Sequence, residues 1–107
     1  MHPPTIPSDP TLDELDAALA EAGGPLLVEP SIPFRHEVSV IVVRSTTEEI
    51  VAYPPFETIQ REGRCHEVLA PAGLPEAQQR EARRLAVTIA RAIDLVGTMA
   101  VELFAAD

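Results

Sequence analysis

Residues 37–44 place Val38, Val40, Ile41, Val42 and Val43 in one short run. Side chains branched at Cβ are stiff at χ1 and fit a pleated surface better than a helix. The run is apolar on nearly both faces, so it predicts a strand that other elements must cover. That requirement constrains the fold more than any other feature of the chain.

The segment leading into this strand holds Pro30 and Pro33. Each proline fixes its own φ and pushes its predecessor toward extended geometry, so the segment cannot be helical. A short apolar strand is predicted over 26–29, which sets Glu29 at the end of one strand and Glu37 at the opening of the next. Backbone groups of such a connector can pair with the edge of a base, and a carboxylate can accept hydrogen bonds from ribose hydroxyls. The arrangement can therefore hold an adenosine. Acids at strand ends are also commonly just solvated, and the residues alone leave both readings open.

The remaining elements follow from local signals. Residues 1–10 carry four prolines and little apolar pattern, and are expected to be a disordered Pro-rich tail. Thr11 followed by Glu14 is a capping-box signature, and Leu12, Leu15, Ala18, Leu19 and Ala22 continue at helical spacing up to Gly23-Gly24. Residues 45–48 form a polar turn, and short strands are predicted over 49–53, 56–60 and 64–69, most simply as an antiparallel meander. Pro75 sits near the first turn of a second helix. Its buried stripe is expected to be Ala82, Leu85, Ala86, Ile89, Ile93 and Val96, with Gly97 as C-terminal cap. Arg80, Arg83, Arg84 and Arg91 lie largely off that stripe and read as a solvated face with partners three and four residues away. A final strand covers 98–104. The class is α+β, a mainly antiparallel sheet with two helices.

Composition bounds the partners. With 107 residues, 46% of them hydrophobic, the chain is one domain or one piece of a larger one. A net charge of −9 argues against nucleic acid and anionic membrane as partners. No apolar run is long enough to span a bilayer, and the first residues lack the pattern of a signal peptide. The single cysteine, Cys65, fits a reducing, cytoplasmic setting. All eight basic residues are arginine, so chemistry that needs a lysine must borrow one.

Glu102 interrupts an otherwise apolar strand. A buried, unpartnered carboxylate costs several kcal/mol, so Glu102 should face solvent, a cation or a hydrogen-bond donor. Mg²⁺ bridged to phosphate is one such cation, because it favours one or two carboxylates plus phosphate oxygens. An exposed edge position and an ion pair with an arginine answer the requirement equally well. Cys65-His66 lacks the second cysteine or spaced histidine that a metal or nucleophile site needs. His36 reads as a surface pair with Arg35.

Four stretches, in register from about Thr11 onward, carry a resemblance. They are 27–40; Tyr53-Pro54 with Glu57 and Gln60-Arg61-Glu62-Gly63; Cys65-His66-Glu67 leading to Ala70-Pro71-Ala72; and 96–104 around Glu102. Together they resemble the central ATP-binding portion of the 5-(carboxyamino)imidazole ribonucleotide synthase family of ATP-grasp enzymes. The resemblance implies a partial ATP-grasp domain over 11–107. It implies ATP and Mg²⁺ as cofactors, with aminoimidazole ribonucleotide and bicarbonate as partners in the complete enzyme. By position, Glu29, Pro30, Ser31 and Ile32 resemble the hinge that pairs with adenine, and Glu37 the ribose acceptor. Gln60 falls where many members place a histidine near the nucleotide, and Glu102 resembles the first of two Mg²⁺-binding acids.

The departures matter as well. Family members hold the ATP phosphates with a lysine and a Gly-rich loop, where residues 1–9 here offer neither. Ser31 and Arg64 replace apolar residues, and Thr46-Thr47-Glu48 lacks a turn glycine. No catalytic residue is assigned, and catalysis by this chain alone is not expected, because phosphoryl transfer depends on charge neutralisation. Two further readings stay open: a non-catalytic ATP-grasp remnant or interaction module, and a fragment of another ATP-grasp carboxylase such as biotin carboxylase. The closing strand is expected to leave an open sheet edge through which two copies could pair as a homodimer.

Overall fold

The computed structural model describes residues 9–106, so the expected tail lies almost wholly outside the described residues. The chain divides into two compact units, Met1–Ile32 and Pro33–Asp107.

In the first unit, helix α1 spans Leu12–Ala22. Its start is the predicted capping box: Glu14 N–H donates to Thr11 Oγ1 (3.2 Å) and Thr11 N–H donates to Glu14 Oε1 (3.2 Å). Gly23 closes it in the left-handed region, φ 67°, with its N–H on the Leu19 carbonyl. The strand expected over 26–29 does not form. A strand exists only through its ladder, and none of the described strands pairs with this stretch. Leu27 and Val28 are exposed there.

The second unit is a five-stranded antiparallel sheet with one helix on it. Strand β1, His36–Arg44, is the covered strand. The last strand, β5 (Gly97–Ala105), pairs with it along its whole length, from His36↔Ala105 to Arg44↔Gly97. Two strands share the other side. β2 (Ile50–Ala52) takes the C-terminal half of β1, and β3 (Phe56–Arg61) takes the N-terminal half. Strand β4 (Arg64–Leu69) lies outside β3 through the two-residue turn Glu62-Gly63, both at positive φ, the conformation that matches strand twist. This corrects the meander. β2 is too short to fill one side of β1, the prolines at 54 and 55 end it, and β3 pairs with what remains. In the polar turn after β1, Glu48 sits at φ 69°, where the resemblance called for glycine. No described strand pairs with the outer edge of β5.

Helix α2, Glu76–Ala92, covers the sheet face carrying Val40, Val42 and Val101. Its buried stripe is Ala82, Ala86 and Ala90, narrower than expected. Small side chains let the helix approach closely, and the bulkier Ile89, Ile93 and Val96 are left exposed. The helix also ends earlier than expected. Asp94, at φ 52°, and Leu95, whose N–H reaches the Ala90 carbonyl (3.0 Å), form the closing turn, while Gly97 begins β5. Arg44 Nη1 donates to the Leu95 carbonyl (2.8 Å) and Arg83 Nη2 to that of Ala52 (2.9 Å), which ties the helix to β1 and β2. Arg80 pairs with Glu76 and Arg84 with Glu81. The hydrogen bond from Arg84 is the main cause holding the Glu81 carboxyl below its ordinary value, and the pair is fully exposed. No helix among the described residues is long and apolar enough to cross a membrane.

Candidate functional site

Alternation along β1 sends Val38, Val40 and Val42 toward the core and Glu37 and Ser39 to the other face of the sheet. Residues opposite one another in an antiparallel pair share a face. Glu37 faces Phe104 on β5 and Thr58 on β3, Ser39 faces Glu102, and Gln60 faces Cys65 on β4. Glu37, Thr58, Gln60, Cys65, Glu102 and Phe104 line one open cavity of about 700 Å³, while Ser39 is buried. A cavity of this size suits a nucleotide-sized ligand.

Three residues predicted from widely separated stretches, Glu37, Gln60 and Glu102, thus meet in one place. Glu37 and Glu102 are diagonal neighbours across β1 and β5, roughly 7–8 Å apart for positions so related. Two carboxylates on one wall repel an anion and attract a cation. Among the described residues no group of three or more His, Cys, Asp or Glu could hold a metal by itself. The oxygens of Glu37 and Glu102 are the type of donor that a magnesium ion favours. The predicted hinge, Glu29, Pro30, Ser31 and Ile32, is exposed and irregular in the first unit.

Sequence reasoning missed several residues here. Thr58 and Cys65 join the cavity, and Cys65 is a free, exposed thiol. Once the hairpin turn at 62–63 is recognised, counting back along it would have set Cys65 opposite Gln60. On the other face of the sheet, His36 Nδ1 donates to Glu57 Oε1 at 3.0 Å, replacing the expected pairing with Arg35. Glu57 is largely covered and His36 half-exposed. Nothing local in the sequence signals a contact between residues 21 positions apart.

The model of the ATP-grasp domain matches residues 5–107, and the chain belongs to the ATP-grasp family. Within that family it is similar to proteins named phosphoribosylaminoimidazole carboxylase and N5-carboxyaminoimidazole ribonucleotide synthase. It is 42% identical over 92 residues to phosphoribosylaminoimidazole carboxylase of Schizosaccharomyces pombe, covering 85% of this chain and 17% of that protein. It is 40% identical over 95 residues to N5-carboxyaminoimidazole ribonucleotide synthase of Synechococcus elongatus, covering 88% and 24%. The crystal structure of carboxyaminoimidazole ribonucleotide synthase from Aspergillus clavatus complexed with ATP superposes with a TM-score of 0.80 at 34% identity, covering 89% of this chain and 25% of that one. The chain spans a quarter or less of each of these relatives.

Proposed function

We propose that this chain is the nucleotide-binding part of an ATP-dependent carbon–nitrogen ligase of purine biosynthesis, which carboxylates aminoimidazole ribonucleotide with bicarbonate in the complete enzyme. The observation that carries the reading is the convergence of Glu37, Gln60 and Glu102 on one cavity in a chain of the ATP-grasp family.

In this reading Glu37 accepts hydrogen bonds from the ribose hydroxyls, and Gln60 offers an amide to the nucleotide from β3. Glu29, Pro30, Ser31 and Ile32 present backbone groups to the adenine edge. Glu102 holds Mg²⁺ against the phosphates. The metal supplies charge neutralisation at the phosphoryl oxygens. Residues 11–107 act as a partial ATP-grasp domain, and the lysine and second metal carboxylate that phosphoryl transfer requires come from outside them. A free thiol at Cys65 is compatible with a cytoplasmic location.

Calorimetric titration with Mg·ATP, and with Mg·GTP as control, tests the proposal. Saturable binding of ATP, even in the millimolar range, with no GTP binding is the expected result. A folded chain that binds neither nucleotide overturns it and leaves the reading as a non-catalytic remnant, which the absence of any lysine favours.

The same reading includes a homodimer. Along β5 the one charged residue is Glu102, and the strand carries no proline or lysine to discourage pairing. Two copies can join antiparallel about Val101, which places each Glu102 opposite the partner's Ala100 and brings no like charges together. Light scattering at rising concentration should show mass doubling, and replacing Val101 with proline should abolish it. A monomer at all concentrations rules the dimer out.

A further inference from the structure

Three consecutive residues ahead of Glu37 are each tied to a different part of the sheet. The Phe34 ring stacks on Phe104, with centroids 4.6 Å apart and planes 14° from parallel. Arg35 N–H donates to the Ala105 carbonyl (2.9 Å). His36 Nδ1 donates to Glu57 Oε1 (3.0 Å). Phe104 stands directly opposite Glu37 on β5, so the stack lies on the cavity side of the sheet. Glu57 stands opposite Val38 on the helix side. Glu37 therefore leaves the backbone between a ring stack on one face and a side-chain hydrogen bond on the other.

Position makes these contacts informative. His36 is the first residue of β1, where a strand frays most readily, and the stretch before it is stiffened by Pro30 and Pro33. A stiff segment transmits its motion to whatever follows it, and here that is the carboxylate facing the cavity. Hydrogen bonds from a carboxylate to sugar hydroxyls weaken steeply when the angle is wrong, so the anchor needs holding. The contacts are poor candidates for general stabilisation, because Phe34 and Phe104 are 44% and 54% exposed and neither belongs to a core cluster.

We propose that Phe34, Arg35 and His36 form a clamp that aims the Glu37 carboxylate at the ribose hydroxyls of a bound nucleotide, so that Phe34 and His36 are positioning residues for sugar recognition. The clamp rests on the nucleotide reading above and adds to it which residues read the sugar. Phe34 acts through Phe104, His36 acts through Glu57, and Arg35 contributes its backbone N–H bond to Ala105.

The test compares Mg·ATP with Mg·2′,3′-dideoxyATP, which lacks both sugar hydroxyls, by calorimetry on the full chain. The parent should prefer ATP by about tenfold, the value of one hydrogen bond to a charged group. Phe34→Leu keeps apolar bulk and loses the stack, and His36→Leu loses the hydrogen bond to Glu57. Each should bring the preference close to one while leaving dideoxyATP affinity unchanged, and Glu37→Gln should likewise bring the preference close to one. His36→Gln, which can still hydrogen-bond Glu57, should keep the parental ratio.

If both leucine variants keep the parental ratio while Glu37→Gln loses it, the clamp is refuted and the nucleotide reading stands. If both nucleotides weaken in step, the residues are structural and the clamp is likewise refuted. A parent that binds both nucleotides equally refutes the role of Glu37 in reading the sugar, and the clamp with it.

Discussion

Replacing Ala86 by leucine should remove about 3 kcal/mol of stability and lower the urea midpoint by about 2 M, the largest loss expected from one apolar exchange in this chain. Ala86 is fully buried in the cluster that joins α2 to Val40, Val42 and Val101. Alanine at 82, 86 and 90, spaced by four, makes a ridge of methyl groups along one side of the helix. The close approach depends on that ridge, and three added carbons have no void to enter. The helix must lift, which opens the contacts of Ala82 and Ala90 as well, so the expected loss sits at the upper end of the overpacking range. Ile93→Ala is the control. Ile93 is 56% exposed, and its truncation should cost less than about 1 kcal/mol. Equal midpoint shifts for the two variants would mean that the alanine ridge does not seat the helix.

The same ridge illustrates what the sequence does and does not reveal. Helical spacing located α2, but ranking its faces by hydrophobicity favoured Ile89, Ile93 and Val96, because transfer free energy rewards size. Close packing rewards fit, and against a strand already filled by Val40 and Val42 the residue that fits is alanine. Asp94 teaches a similar lesson. Gly97 drew the cap assignment because glycine enters the left-handed region most easily, yet the turn that Arg44 anchors at Leu95 falls three residues earlier. Local patterns located every strand of the second unit, since alternation and turn residues act over a few positions. They could not show that β3 shares a side of β1 with β2, or that β5 returns to the opposite side, because those pairings join distant residues. The unformed strand over 26–29 has the same cause: an apolar, extended stretch becomes a strand only when a partner is present. Family resemblance named three of the residues that line the cavity, Glu37, Gln60 and Glu102, and not Thr58 or Cys65. What brings Glu37, Gln60 and Glu102 together is the sheet register, which no single stretch encodes.

Glu102→Gln should change nucleotide binding in opposite directions with and without magnesium. With the metal present, losing the one carboxylate assigned to it should weaken ATP binding about 10- to 100-fold, the range for a lost charged partner. Without the metal, ATP meets a chain of net charge −9 that has no lysine and sets two carboxylates along the cavity. Coulomb repulsion then opposes binding, and neutralising one carboxylate should tighten it several-fold at low salt. The two effects have different physical origins, so their coexistence is diagnostic. A variant that merely damages the fold would weaken ATP under both conditions. Ser39, buried directly opposite Glu102, needs no charge there, and glutamine keeps the side-chain length. Glu37→Gln provides the contrast. Its loss is one of sugar recognition, so the ATP preference over dideoxyATP should fall to the same degree whether or not magnesium is present. Titrations of the parent and both variants with ATP and dideoxyATP at matched ionic strength, with Mg²⁺ and with a chelator, give the affinities required. If Glu102→Gln binds ATP as tightly as the parent with Mg²⁺ present, Glu102 does not hold the metal.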